Sequence, residues 1–203
     1  MNIVVCTAGS PCLPMMEASV RHYAPDATLR VFRPAPATFG EVYNAAMSEV
    51  FETCDEMIVA NDDIVLRPDT MRILMEDVVQ LKQQYGDKVG IVATRADFVR
   101  DPQHIKYNDG SQCLEASVVS PLFAWISKKA FDVAQFGPLN WYSDDVICED
   151  LNEQGFKNFI SRAYVHHVGS QTVGVDYNRL NNDALPWLRT NRPQYLTKWW
   201  GWK

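Results

Sequence analysis

Short apolar runs alternate with helix-spaced stripes through the first half of the chain. Residues 2–7 are an almost continuous apolar run ending in Ala8-Gly9-Ser10-Pro11, which reads as a buried strand and a turn. After Pro14, the residues Met15, Met16, Ser19, Val20 and Tyr23 recur at helical spacing, and Pro25-Asp26 stops that helix. Residues 28–32 alternate as a second strand and run into Arg33-Pro34-Ala35-Pro36, whose prolines cannot continue a sheet ladder. Gly40 opens a helix with Val42, Tyr43, Ala46, Met47, Val50 and Phe51 as its inner stripe. Met57-Ile58-Val59-Ala60 is a buried strand that ends on Asn61-Asp62-Asp63, and an apolar triplet, Ile64-Val65-Leu66, follows. Pro68-Asp69 then begins a helix that buries Met71, Leu74, Met75, Val78 and Leu81 and ends near Gly86. Residues 89–93 are a fourth short strand. Alternation at this pace predicts an α/β fold with a mostly parallel central sheet flanked by helices.

The pattern breaks after that. Residues 95–117 are largely polar, with Asp101-Pro102 and Asn108-Asp109-Gly110 as turn signals, and a loop this long in a compact domain is functional or disordered. Beyond it come a strand at 122–126, a short helix at 129–133 and a turn at Phe136-Gly137-Pro138. Asp144-Asp145 opens a helical stretch ending at Gly155, and residues 159–166 form one more strand. The tail is aromatic, with Trp187, Tyr195, Trp199, Trp200 and Trp202.

Composition narrows the classes. At 203 residues the chain suits one well-filled domain with a small appendage. A net charge of -6, and no basic cluster larger than Lys128-Lys129, argue against a broad nucleic-acid face. The five cysteines include no C-x-x-C pair and read as reduced thiols. No apolar run approaches the ~20 residues of a transmembrane segment, and no signal-peptide pattern precedes the first strand, so a cytoplasmic location is expected.

Three features at element boundaries carry candidate chemistry. Asp62-Asp63 closes a strand, where ligands collect in open α/β sheets; Asp144-Asp145 opens a helix; His166-His167 ends a late strand. Each has a plain structural explanation as well. Acids at a helix amino terminus cap N–H groups and complement the dipole, and a histidine pair can be packing held by hydrogen bonds. All three in one chain, each at a boundary, point to a shared site.

That ordered set resembles GT-A fold, family-2-like glycosyltransferases. Asn61-Asp62-Asp63 stands where the family's metal-binding D-x-D occurs, and Gly40 with Asn44 fits its G-x-x-x-N helix start. Tyr142-Ser143-Asp144-Asp145-x-x-Cys148, then Gly155-Phe156, is similar to its acidic helix. Val165-His166-His167-Val168-Gly169-Ser170-Gln171-Thr172 and Lys198-Trp199 resemble later motifs. The resemblance covers most of the chain. It implies a single GT-A-like (Rossmann-like) catalytic domain over residues 1–175, with the aromatic tail 176–203 packing on it. It also implies metal-dependent, inverting transfer of a sugar from a nucleotide-diphosphate donor to a glycan or other hydroxyl-bearing acceptor. In that scheme Asp63 with His166 or His167, His166 slightly preferred, holds Mn²⁺ or Mg²⁺. Thr7, Ala8, Gly9, Asn44, Asn61 and Asp62 bind the donor, and Asp144 or Asp145 is the general base, with Asp144 in the preferred register.

The chain departs from the family pattern at three places. Asn61 replaces the first acid of D-x-D, Ser143 replaces the acid before Asp144, and Arg33-Pro34 stands where relatives carry an acid near the nucleotide base. An inactive glycosyltransferase-like module that binds a nucleotide or glycan is therefore the alternative. A sugar nucleotidyltransferase lacks support because Ala8-Gly9-Ser10-Pro11 is no glycine-rich, basic phosphate loop. A haloacid-dehalogenase-type phosphatase would need an aspartate after the first strand, and none is there. Transfer to modified DNA bases gains nothing from the acidic charge balance.

Overall fold

The computed structural model describes residues 1–33, 35, 37–169 and 176–201. Pro34 and Pro36 of the connector, Ser170-Gln171-Thr172 of the late motif and Trp202 of the tail lie outside the described residues.

Among the described residues the strands are β1 (Asn2–Cys6), β2 (Thr28–Phe32), β3 (Glu56–Ala60), β4 (Ile64–Leu66), β5 (Val89–Ala96), β6 (Leu114–Ala116), β7 (Phe123–Ser127) and β8 (Lys157–His167). They form one sheet in the order β2-β1-β3-β7-β5-β8-β4, with β6 on β8 as well. β1, β2, β3, β5 and β8 run the same way, and β4, β6 and β7 run against them. The sheet is mixed, mostly parallel, and flanked by helices, as the alternation predicts.

The helices are α1 (Leu13–Tyr23), α2 (Phe39–Phe51), α3 (Thr70–Tyr85), α4 (Lys128–Val133), α5 (Ser143–Glu153), α6 (Tyr177–Asn191) and α7 (Pro193–Trp200). Those on one face bury Met16, Val20, Leu74 and Val78 against Ile3, Val5, Ile58 and Val92. Those on the other bury Tyr43, Met47, Ile147 and Leu151 against Val4, Met57, Val59 and Ile91. With both faces covered, the central strands read as continuous apolar runs rather than alternating ones.

Two details set the entry to the site. Thr38 and Glu41 form a reciprocal capping box that starts α2. Gly40 then lets α2 touch the turn before α5, because a Cβ there would stand 1.7 Å from the Gly137 carbonyl oxygen. Asn44 holds that same turn. Its Nδ2 donates to the Phe136 carbonyl at 2.9 Å and its Oδ1 accepts from the Phe136 N–H at 3.0 Å.

Several elements differ from the sequence expectation. Ile64-Val65-Leu66 is a strand, antiparallel to the end of β8, with Ile64 opposite His167. The polar stretch after β5 contributes β6 and an isolated bridge between Ala96 and His104. Three-residue strands are too short to display a period. The tail folds as α6 and α7, with Leu188 and Leu196 packed on Val146 of α5. Asp150 of α5 receives Arg192 Nε and Nη2, each at 2.8 Å, and the Tyr195 hydroxyl at 2.5 Å. No helix among the described residues is long and apolar enough to cross a membrane.

Candidate functional site

The carboxyl ends of β1, β3, β5 and β8 point to one rim, and each delivers a polar residue just past its last apolar position: Thr7, Asp62-Asp63, Asp97 and His167. The Thr7 hydroxyl bonds the Asp62 carboxylate. It also accepts from the Gly9 and Ser10 N–H groups at 3.0 and 3.3 Å, which folds the turn after β1 over the rim. Burial, and then the charge of Asp63, push the Asp62 carboxyl up from its ordinary range, against the Thr7 hydrogen bond. Ala8 and Gly9 stand exposed above it. Asn61 is held by its backbone, donating to the Leu122 carbonyl at 2.9 Å.

Asp63 meets one imidazole. His167 Nε2 lies 3.2 Å from Asp63 Oδ1, and both side chains are buried. The Val168 N–H donates to the Asp63 carbonyl at 3.0 Å and locks the two strand ends together. His167 Nδ1 sits 2.5 Å from the Phe98 carbonyl oxygen. Burial pulls the imidazole pKa down, but the Asp63 bond and charge and the Phe98 carbonyl outweigh it, so the net shift is upward. Asp63 meets His167 rather than His166 because successive side chains on β8 point to opposite faces. His166 is half-exposed and its Nδ1 pairs with Asp97 Oδ2 at 2.5 Å, while Asp97 Oδ1 accepts the His167 N–H at 2.9 Å. Gly169 permits this arrangement, since a Cβ there would stand 2.5 Å from the Phe98 ring that lies against His167.

The acidic helix is joined to the same rim by the segment that carries Asp97 and Phe98. Two residues on, Arg100 donates from Nη1 to Asp145 Oδ1 at 2.7 Å and from Nη2 to Asp145 Oδ2 at 3.0 Å. Its Nη2 also reaches Asp144 Oδ2 at 3.0 Å, and its Nε reaches Ser120 Oγ at 3.0 Å. Ser120 Oγ donates in turn to Asp144 Oδ2 at 3.2 Å. Phe98 and Arg100 can be at most about 7 Å apart along the chain, so the Asp63–His167 pair and the Asp144–Asp145 pair flank one short strap. Burial, and then the adjacent Asp144 charge, push Asp145 up to about 6, against the Arg100 contacts. Ser143 is buried and donates to the Gly137 carbonyl at 2.6 Å, which pins the start of α5. Tyr142 just before it adopts a left-handed backbone with φ 66°.

Of the residues singled out in the sequence, His166, His167, Asp144 and Asp145 touch the strap directly, Asp63 joins it through His167, and Thr7 bonds Asp62 beside Asp63. Asn44 has a structural part as well: its amide bonds the Phe136 backbone at both ends and so holds the turn before α5. Arg100, Asp97 and Ser120 were not singled out. A lone arginine, an aspartate and a serine in polar stretches have no period or motif to mark them, and only the fold aligns them with the acids.

The donor set bears on the implied cation. Among the described residues no group of three or more His, Cys, Asp or Glu side chains is arranged to hold a metal ion. Asp63 and His167 are two converging donors, and Mg²⁺-type sites commonly use one or two carboxylates with substrate phosphates completing the shell. An open site of that kind would draw on these two donors, which here bond each other, His167 Nε2 to Asp63 Oδ1 at 3.2 Å; an all-protein cage is not formed among the described residues.

No protein-family profile matches the chain, and no curated protein matches it. Solved structures do. A197 from STIV superposes with a TM-score of 0.58 at 10% identity, covering 84% of this chain and 86% of its own. The catalytic domain of Drosophila beta1,4galactosyltransferase 7, solved with xylobiose, superposes at 0.54 and 12% identity, covering 84% and 71%. A glycosyltransferase involved in glycosylating the major capsid of PBCV-1 is more distant, with a TM-score of 0.47 at 9% identity over 84% and 95%, and carries no argument. The chain thus shares its α/β fold with the first two of these structures, one of them a glycosyltransferase catalytic domain.

Proposed function

We propose that this protein is an inverting glycosyltransferase that moves a sugar from a nucleotide-diphosphate donor to an acceptor hydroxyl. The observation that carries the reading is the 97–100 strap, which holds His167 beside Asp63 at one end and Arg100 on Asp144 and Asp145 at the other. Donor chemistry and acceptor chemistry need those two sets within one sugar's reach.

In this reading Asp63 and His167 would hold Mn²⁺ or Mg²⁺ against the donor diphosphate. The cation, when bound, offsets the charge that grows on the departing nucleotide. Thr7 and the turn after it, with Asp62, face the donor. Asp144 takes the acceptor proton, because it engages Arg100 and Ser120 through Oδ2 whereas both oxygens of Asp145 are bound by Arg100. Asp145 and Arg100 then serve as a charge-balanced support. Proton transfer to a positioned carboxylate contributes about 100- to 10,000-fold in rate.

One observation favours a second reading. Arg100 engages both acids of α5, which suits a module that binds a nucleotide or glycan without turnover. Hydrolysis or transfer of bound donor separates the two. The first test is a thermal-shift screen of nucleoside diphosphates with and without Mn²⁺. A ligand at a hundred times its Kd adds about 2.7 kcal/mol of stability. Mn²⁺-dependent stabilisation by one nucleoside diphosphate, lost in Asp63→Ala, supports the reading. Equal shifts with and without the ion count against the metal role.

A further inference from the structure

A groove of about 570 Å³ opens beside α5, lined by the strap, the edge strand β6 and helix α7. Its walls include Arg100, Tyr142, Asp145, Lys198, Trp199 and Trp200. We propose that this groove binds a neutral oligosaccharide. Its assignment as the acceptor subsite rests on the transferase reading; the binding itself does not.

Charge and ring geometry both favour that ligand. The cations of the wall are matched within it, Arg100 by Asp145 at 2.7 Å and Lys198 by the buried Glu149 at 2.6 Å, and the wall adds two further acids, Asp101 and Glu115. A phosphate or sulfate would have to displace a carboxylate and then face that acidic excess. A hydroxyl-rich neutral ligand can add hydrogen bonds to such pairs without breaking them. The volume falls within the ordinary range for small-ligand sites.

The aromatic wall is built rather than incidental. Tyr142, Trp199 and Tyr195 stack in a row, with centroids 5.7 and 5.3 Å apart, and Trp200 stands at 89° to Tyr142 and 88° to Trp199. Trp199 Nε1 donates to Glu149 at 3.2 Å and the Tyr142 hydroxyl to Asn181 at 2.7 Å, so the rings are fixed at their polar ends. Tyr142 also holds its left-handed backbone here. Such a conformation in a bulky residue is costly and concentrates at ligand sites. Trp199 is covered by Tyr142 and Tyr195 on its two faces. Trp200, on the groove wall and only part-buried, is then the ring placed to meet the apolar C–H face of a pyranose, with the polar pairs beside it for the hydroxyl rim.

The test is saturation-transfer NMR and calorimetry on the full chain with cellotriose, xylotriose and chitotriose, with a heparin hexasaccharide and a DNA oligonucleotide as anionic comparators. At least one neutral trisaccharide is expected to bind and both anions to bind more weakly. Trp200→Ala should weaken the trisaccharide by about tenfold, with Trp200→Phe restoring most of it. No binding of any trisaccharide, a preference for the anions, or equal affinity in Trp200→Ala would overturn the proposal. Trisaccharide binding without transfer from any donor leaves the groove assigned and removes the transferase reading. Donor-dependent stabilisation without trisaccharide binding does the reverse.

Discussion

Removing Arg100 should destabilise the protein, and by more at neutral than at mildly acid pH. The guanidinium makes three contacts of 2.7 to 3.0 Å to Asp144 and Asp145, and Asp145 is only 8% exposed. Breaking a buried pair by deleting one partner costs about 3–5 kcal/mol, since the surviving charge keeps its desolvation penalty. Arg100 itself is 35% exposed, so water screens part of the interaction, and about 2–4 kcal/mol is the reasonable range for Arg100→Ala at pH 7.5. With a urea slope of about 2 kcal/mol per molar, the midpoint falls by about 1–2 M.

The pH dependence follows from Asp145. Its carboxyl is raised to about 6 in the folded protein, against about 3.9 in an unfolded chain. A group raised in this way contributes stability that is full below the unfolded value and is lost as pH rises through the folded one. Without Arg100 the folded value climbs further, so at pH 5 the two acids share a proton and the penalty shrinks. Urea melts of wild type, Arg100→Ala and Arg100→Lys at pH 5 and 7.5 check this, with the lysine variant losing less because it keeps the charge. An unchanged midpoint at pH 7.5, or an equal penalty at both pH values, would refute the reasoning.

Three further outcomes are expected. His167→Ala should weaken Mn²⁺-dependent nucleoside diphosphate binding by at least about tenfold, and His166→Ala far less, as read by thermal shift; the opposite order would place the working imidazole on the other face of β8. Asp77 is fully buried and receives Ser161 Oγ at 2.6 Å, the Arg162 N–H at 2.8 Å and Arg162 Nε at 2.7 Å. Asp77→Ala should therefore cost about 3–5 kcal/mol in urea, and a loss below about 1 would contradict that account. Gly40→Ala must push α2 off the Gly137 turn and should lower stability by about 1–3 kcal/mol, with no loss expected only if that contact is not made.

Much of the fold was legible because burial on both faces of the sheet leaves long apolar runs, as at Met57-Ile58-Val59-Ala60. Asp62-Asp63 could be found for the same reason: carboxylates at the end of such a run stand out. Ile64–Leu66 and Leu114–Ala116 could not be read as strands, since what makes them strands is pairing with β8 far along the chain. Asn44 matched a motif position, yet its amide is satisfied by the Phe136 backbone, a contact 92 residues away. Which of His166 and His167 meets Asp63 depends on the pleat of β8 and its pairing with β4, neither of which the sequence displays. Arg100 was invisible because its importance lies wholly in the two acids it reaches across the rim, 44 and 45 residues on.

The central claim is that the Asp63–His167 pair and Asp144 serve one transfer reaction. The most direct measurement compares donor binding and sugar transfer for Asp144→Asn with wild type, using the donor identified by thermal shift. Unchanged donor affinity with transfer reduced by about 100- to 10,000-fold is the predicted result. Transfer at the wild-type rate in Asp144→Asn would contradict the account.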